Sequence, residues 1–129
     1  MHVATLAIAP GSRARAYGPA FDLAERSGGK GFDYWQYGGY TAWGTVLGDL
    51  DLAAEDDPYP HAVPVSRLPS PLPGELIPMA FVTPRGAFLW GPIGEEGDRF
   101  NDGAWTDRVN HLVDKYRGGH TAVLLDGHC

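Results

Sequence analysis

Asp126 and His128 stand two residues apart at the end of an apolar run, Ala122-Val123-Leu124-Leu125. Side chains alternate along an extended strand, so His120, Ala122, Leu124, Asp126 and His128 fall on one side of it. An acid and an imidazole placed this way admit three roles. They can face water beyond the core, hydrogen-bond a ligand in a pocket, or supply N and O ligands to a metal together with His120 or His111. The spacing matches no closed zinc motif, and Cys129 has no Cys-x-x-Cys partner, so no metal site and no cofactor is assigned. Gly-x-Ser-x-Gly is absent and no serine sits beside a histidine and an acid in recognisable order, so no catalytic residue is assigned either. A pair such as Asp33 with His128 would do acid–base work if the fold joined them.

Asp33 belongs to the most unusual stretch of the chain, Gly31-Phe32-Asp33-Tyr34-Trp35-Gln36-Tyr37-Gly38-Gly39-Tyr40-Thr41-Ala42-Trp43-Gly44, with six aromatics and four glycines in fourteen positions. On one reading the aromatics are core and Gly38-Gly39 is a tight turn. On the other, the glycines bring bare amides close to a ligand flanked by aromatic faces. Six aromatics exceed what one turn and one strand need for packing. The expected ligand-binding set is therefore Asp33, Tyr34, Trp35, Gln36, Gly38, Gly39, Tyr40 and Trp43, joined by Asp126 and His128. Neither a Walker A nor a dinucleotide fingerprint is present.

The elements that must position these residues are read from punctuation and period. Val3 to Ala9 is apolar on both faces and stops at Pro10-Gly11, as a central strand would. Arg13 and Arg15 read as solvated loop charges or as cations serving the glycine turn, and Pro19 to Arg26 as a short helix. Tyr40 to Leu47 alternates as a strand. Asp49 to Asp57 carries five acids and reads as an exposed loop, while Val63 to Pro73, with four prolines, reads as an irregular connection across the surface. Ile77 to Thr83 and Ala87 to Gly91 flank Pro84-Arg85-Gly86 as a hairpin. A helix capped by Asn101 or Asp102 runs to about Arg117, burying Trp105, Val109, Leu112, Val113 and Tyr116 and leaving His111 outside. His120 to Cys129 is the last strand, expected beside the first. The fold class is α+β: one domain over residues 1–129, an antiparallel or mixed sheet of about five strands with one principal helix near 103–117 packed on it.

Composition narrows the function. The net charge is −6 with ten basic residues, which argues against duplex nucleic acid as a partner. One cysteine excludes an internal disulfide framework, and no stretch resembles a signal peptide or approaches membrane-spanning length. A cytoplasmic location is expected.

The motifs Asp33-Tyr34-Trp35-Gln36, Gly38-Gly39, Gly44, Pro64-Val65-Ser66-Arg67-Leu68-Pro69, Phe81-Val82-Thr83-Pro84-Arg85-Gly86, Asp126 and His128 resemble a group of small, largely uncharacterised bacteriophage and prophage proteins of actinobacteria. Two positions depart from that pattern: Tyr40 stands where an arginine is expected, and Gly127 where a cysteine is. The resemblance implies no activity. By analogy with small phage proteins, it suggests a host-cytoplasmic binding protein that sequesters a nucleotide-like small molecule, such as a host immune signal, without chemistry. A homodimer sharing the site is compatible with this. The alternatives are a metal-dependent hydrolase or phosphodiesterase using Asp126, His128 and Asp33, and an inhibitor that binds a host defence protein.

Overall fold

The computed structural model describes residues 1–38, 41–91 and 103–129. Among them run β1 (His2–Pro10), α1 (Arg13–Gly28), β2 (Tyr34–Tyr37), α2 (Thr41–Asp49), β3 (Ala62–Pro64), β4 (Ala80–Val82), β5 (Phe88–Trp90), α3 (Gly103–Lys115) and β6 (His120–His128). They form one α+β domain around a mixed six-stranded sheet.

The two strands that are apolar on both faces take the centre, since only there are both faces covered. The sheet order is β2-β6-β1-β4-β5, with β3 also pairing with β6. β1 and β6 are antiparallel over nine paired positions, from His2 with His128 to Pro10 with His120. β2 pairs antiparallel with β6 over its last residues, β3 with its earlier ones, and β1 pairs parallel with β4. The expected hairpin is present, β4 and β5 pairing from Ala80 with Trp90 to Val82 with Phe88.

Alternation divides the core into two. On one face Ala7, Ala9, Val123, Leu125, Trp35 and Val82 pack under α1. The helix reaches the sheet through Ala16, Ala20 and Ala24, one every fourth residue and all fully buried, so that small side chains let its axis lie close. On the other face Leu6, Ile8, Ala122 and Leu124 pack with Trp43 and Leu47 of α2 and Trp105, Val109 and Val113 of α3. The α3 stripe is the one its periodicity implies, and Leu112 and Tyr116 pack at its edge. Its cap, placed at Asn101 or Asp102, lies outside the described residues. No helix among the described residues is long and apolar enough to cross a membrane.

Four expectations are corrected. The strand expected over Tyr40 to Leu47 is replaced, in its described part, by a helix over Thr41–Asp49. Trp43 and Leu47 are four apart, a spacing that puts them on one face of a strand and of a helix alike, and Ala42, Val46 and Leu50 then fit only the helix. The short helix at Pro19 to Arg26 is in fact sixteen residues long, started by Ser12, whose hydroxyl accepts from the Arg15 amide at 3.4 Å. Pro19 forfeits one backbone bond inside it without ending it.

Arg13 is not a solvated loop charge. Its guanidinium is ion-paired with Asp57 and donates to the carbonyls of Ala62 at 2.9 Å and Tyr59 at 2.7 Å. Nor does Val63 to Pro73 cross the surface: Val63, Val65, Leu68 and Leu72 are buried. Its prolines prevent a long ladder, so its backbone groups find side-chain partners instead. Arg117 donates to the carbonyls of Val65, Leu68 and Pro69 at 3.2, 2.9 and 3.3 Å, and Asn110 accepts from the Leu72 amide at 2.7 Å.

Candidate functional site

Register decides what stands beside Asp126 and His128. His128 is opposite Tyr34 on β2 and His2 on β1, and Asp126 is opposite Gln36 and Ala4. Paired residues of antiparallel strands project from the same face. The result is two adjacent rows across three strands, Tyr34–His128–His2 and Gln36–Asp126–Ala4. The next row inward contains Leu124 and Leu6, which belong to the core. The apolar face thus turns polar at the end of the sheet, where covering stops.

The side chains in these rows touch. His2 Nδ1 lies 2.8 Å from Asp126 Oδ2, and Gln36 Nε2 donates to that same oxygen at 3.2 Å. The other oxygen, Oδ1, is buried and has no hydrogen-bond partner among the described residues. His128 Nδ1 lies 3.2 Å from Asp33 Oδ2, and the Asp33 amide donates to the His128 carbonyl at 2.7 Å. The Tyr34 and His128 rings are stacked at 4.8 Å, and the His2 and His128 rings meet edge to face at 5.1 Å. Tyr34 is 49% exposed, so its outer face is open to solvent. The Met1 ammonium donates to the Cys129 carbonyl at 2.5 Å, next to the two histidines in sequence and across the β1–β6 pair.

Five of the sequence candidates, Asp33, Tyr34, Gln36, Asp126 and His128, are therefore brought together. Of the other five, Trp35, Gly38 and Trp43 do not join them. Trp35 faces the other side of β2, beneath Phe32 at 4.5 Å, and is 9% exposed. Tyr37 follows it there, stacked on Tyr17 at 4.0 Å with its hydroxyl donating to the Tyr17 carbonyl. Trp43 is 1% exposed inside the core, which removes it from any ligand. Gly38 serves the sheet, its amide donating to the Leu124 carbonyl at 3.1 Å. Gly39 and Tyr40 lie outside the described residues.

The tyrosines on the α1 side form a separate cluster. Burial, followed by the nearby Tyr37 and Asp57, pushes the Tyr17 phenol up to about 12. The same burial raises Tyr37. These phenols are structural, with no role as acids near neutrality.

His2 escaped the sequence reading. The signal was available: once the first and last strands pair antiparallel with their ends flush, residue 2 must meet residue 128. His120 and His111 do not join the site. His120 is at the opposite end of β6, about 26 Å away at ~3.3 Å per residue. Its Nδ1 is 2.7 Å from the Gly118 carbonyl. His111 is exposed on α3. Among the described residues no three histidine, cysteine or acidic groups are set to hold one metal ion.

Comparison of the chain with protein-family models, curated proteins and solved structures gives no match.

Proposed function

We propose that this protein captures a nucleotide-like small molecule at the open end of the β1–β6–β2 face. One observation carries the reading: Asp33, Tyr34 and Gln36 meet Asp126 and His128 at an end of the sheet where the apolar face gives way to polar side chains. Tyr34, backed by the His128 ring, offers a flat platform for a base. Asp33 and Gln36 are exposed beside it and present acceptor and donor groups to polar edges.

The test is binding of a panel of linear and cyclic nucleotides by calorimetry, with mass spectrometry of whatever the denatured protein releases. Base–aromatic stacking contributes ~1–3 kcal/mol, so Tyr34→Ala should weaken binding about 5- to 150-fold while leaving the fold intact. A panel that fails to bind, or binding that survives both Tyr34→Ala and His128→Ala unchanged, refutes the proposal.

A further inference from the structure

The two histidines of this site are each tied to a carboxylate through the same ring atom. Asp126 takes Nδ1 of His2 at 2.8 Å and Asp33 takes Nδ1 of His128 at 3.2 Å. A carboxylate at Nδ1 holds the proton there, orients the ring, and leaves Nε2 as the nitrogen that exchanges protons. Two imidazoles so arranged, with ring centres 5.1 Å apart, are close enough for one phosphate to contact both through bonds of ~2.7–3.2 Å.

Resting on the nucleotide-binding reading above, we infer that His2 and His128 are a general acid–base pair that cleaves a ribonucleotide phosphodiester by transesterification. The neutral imidazole takes the proton of the 2′-hydroxyl at Nε2 as O2′ bonds to phosphorus. The P–O5′ bond breaks, and the protonated imidazole gives its Nε2 proton to O5′. The products are a 2′,3′-cyclic phosphate and a 5′-hydroxyl. One proton is taken and one is given, so no oxidant, reductant or second nucleophile is required. Afterwards the two imidazoles have exchanged protonation states and reset through water.

The local charges suit this division of labour. The charged and titratable groups in contact with the pair or at the adjoining chain ends include Asp126 from β6, Asp33 before β2, Tyr34 on β2, the Met1 ammonium and Cys129. Each carboxylate can balance one imidazolium, and the imidazolium supplies the positive charge facing the phosphate. His2 is largely exposed, with 63% of its side chain accessible, and can exchange protons with solvent.

The experiment uses the intact protein and two probes: the set of ribodinucleoside monophosphates, and their 2′-deoxy counterparts, which can bind but cannot react. Binding of the deoxy set is read by calorimetry and cleavage of the ribo set by ³¹P NMR, with His128→Gln protein purified in parallel as the control for contaminating nuclease. The expected result is a 2′,3′-cyclic product, a bell-shaped pH dependence, and a loss of ~10²–10⁴-fold in kcat on His2→Gln or His128→Gln that exceeds whatever loss of deoxy-probe binding the same change causes. Asp126→Asn and Asp33→Asn should displace one limb of the pH profile, which a merely structural role would not do. Deoxy probes that bind beside ribo probes that stay intact overturn this inference and leave the binding reading standing. Failure of both sets to bind overturns both.

Discussion

Gly127 lies between the two site residues of β6, and its own face of the strand is occupied by rings. A Cβ built there would stand 2.8 Å from two atoms of Phe32 and 2.8 Å from Cη2 of Trp35. Carbon–carbon contacts are optimal at ~3.5–4.0 Å, so Gly127→Ala demands a movement of roughly 1 Å by either the rings or the strand. Neither is free. Trp35 is 9% exposed, and Phe32 is held against Trp35, Phe88 and Trp90 at 4.5, 5.7 and 5.8 Å. Overpacking of this kind costs ~1–3 kcal/mol. For a chain of 129 residues the unfolding entropy near the midpoint is ~0.27 kcal/mol/K, so the expected loss in Tm is about 4–11 °C. If β6 yields instead of the rings, Asp126 and His128 shift with it, and ligand affinity falls along with stability. Urea denaturation followed by tryptophan fluorescence measures the first effect and nucleotide calorimetry the second. Phe32→Ala should relieve the clash, so Gly127→Ala should cost at least 1 kcal/mol less in that background, a coupling read by a double-mutant cycle. The steric account is refuted if Gly127→Ala lies within 0.5 kcal/mol of the parent, by an order-of-magnitude allowance for surface changes, or if Phe32→Ala gives no relief.

Other tests reach the elements that hold the site in place. Arg13→Ala strands a mostly buried Asp57 carboxylate and two carbonyls, and is expected to destabilise by ~3–5 kcal/mol, whereas the double variant Arg13→Ala/Asp57→Ala should lose less than the sum of the single changes. The Asp57 carboxyl loses ground to burial, but the Tyr59 amide and Arg13 outweigh this and hold it below its usual range. Its folded value is lower than its unfolded one, so its contribution is present above about pH 4 and disappears as pH falls through the folded value; the stability gap between the parent and Asp57→Asn should close there. Burial lowers His61 in the folded state, so the unfolded chain binds the extra proton and stability declines as pH drops below about 6.5. His61→Asn should flatten that slope in urea midpoints measured from pH 7 to 5. Ala20→Leu, at a fully buried contact of α1 with the sheet, should cost ~1–3 kcal/mol by lifting the helix, seen as a lower Tm with unchanged helical circular dichroism.

By itself the sequence determined whatever is written in local pattern. The apolar runs around Leu6 and Leu124 read as central strands, the Trp105-Val109-Val113 stripe as a docked helix, and the turn at Pro84-Arg85-Gly86 as a hairpin, and each is found so. It also marked Asp33, Tyr34, Gln36, Asp126 and His128 as unusual in type and spacing. Tertiary structure decided everything that depended on which side a residue faces and what it faces. A strand's period of two sends Tyr34 and Gln36 to one layer and Trp35 and Tyr37 to the other, so a single aromatic stretch is divided between site and core. Trp43 satisfies helical and extended spacing alike, and only packing against α3 and the sheet resolves the ambiguity. The prolines of Val63 to Pro73 declare irregularity but not depth, and burial there requires Arg117, some fifty residues away, to take up the carbonyls. The joining of His2 to Asp126 and of His128 to Asp33 spans 124 and 95 residues. Contacts so distant leave no local periodicity, because strand register creates them and register is set by the whole sheet.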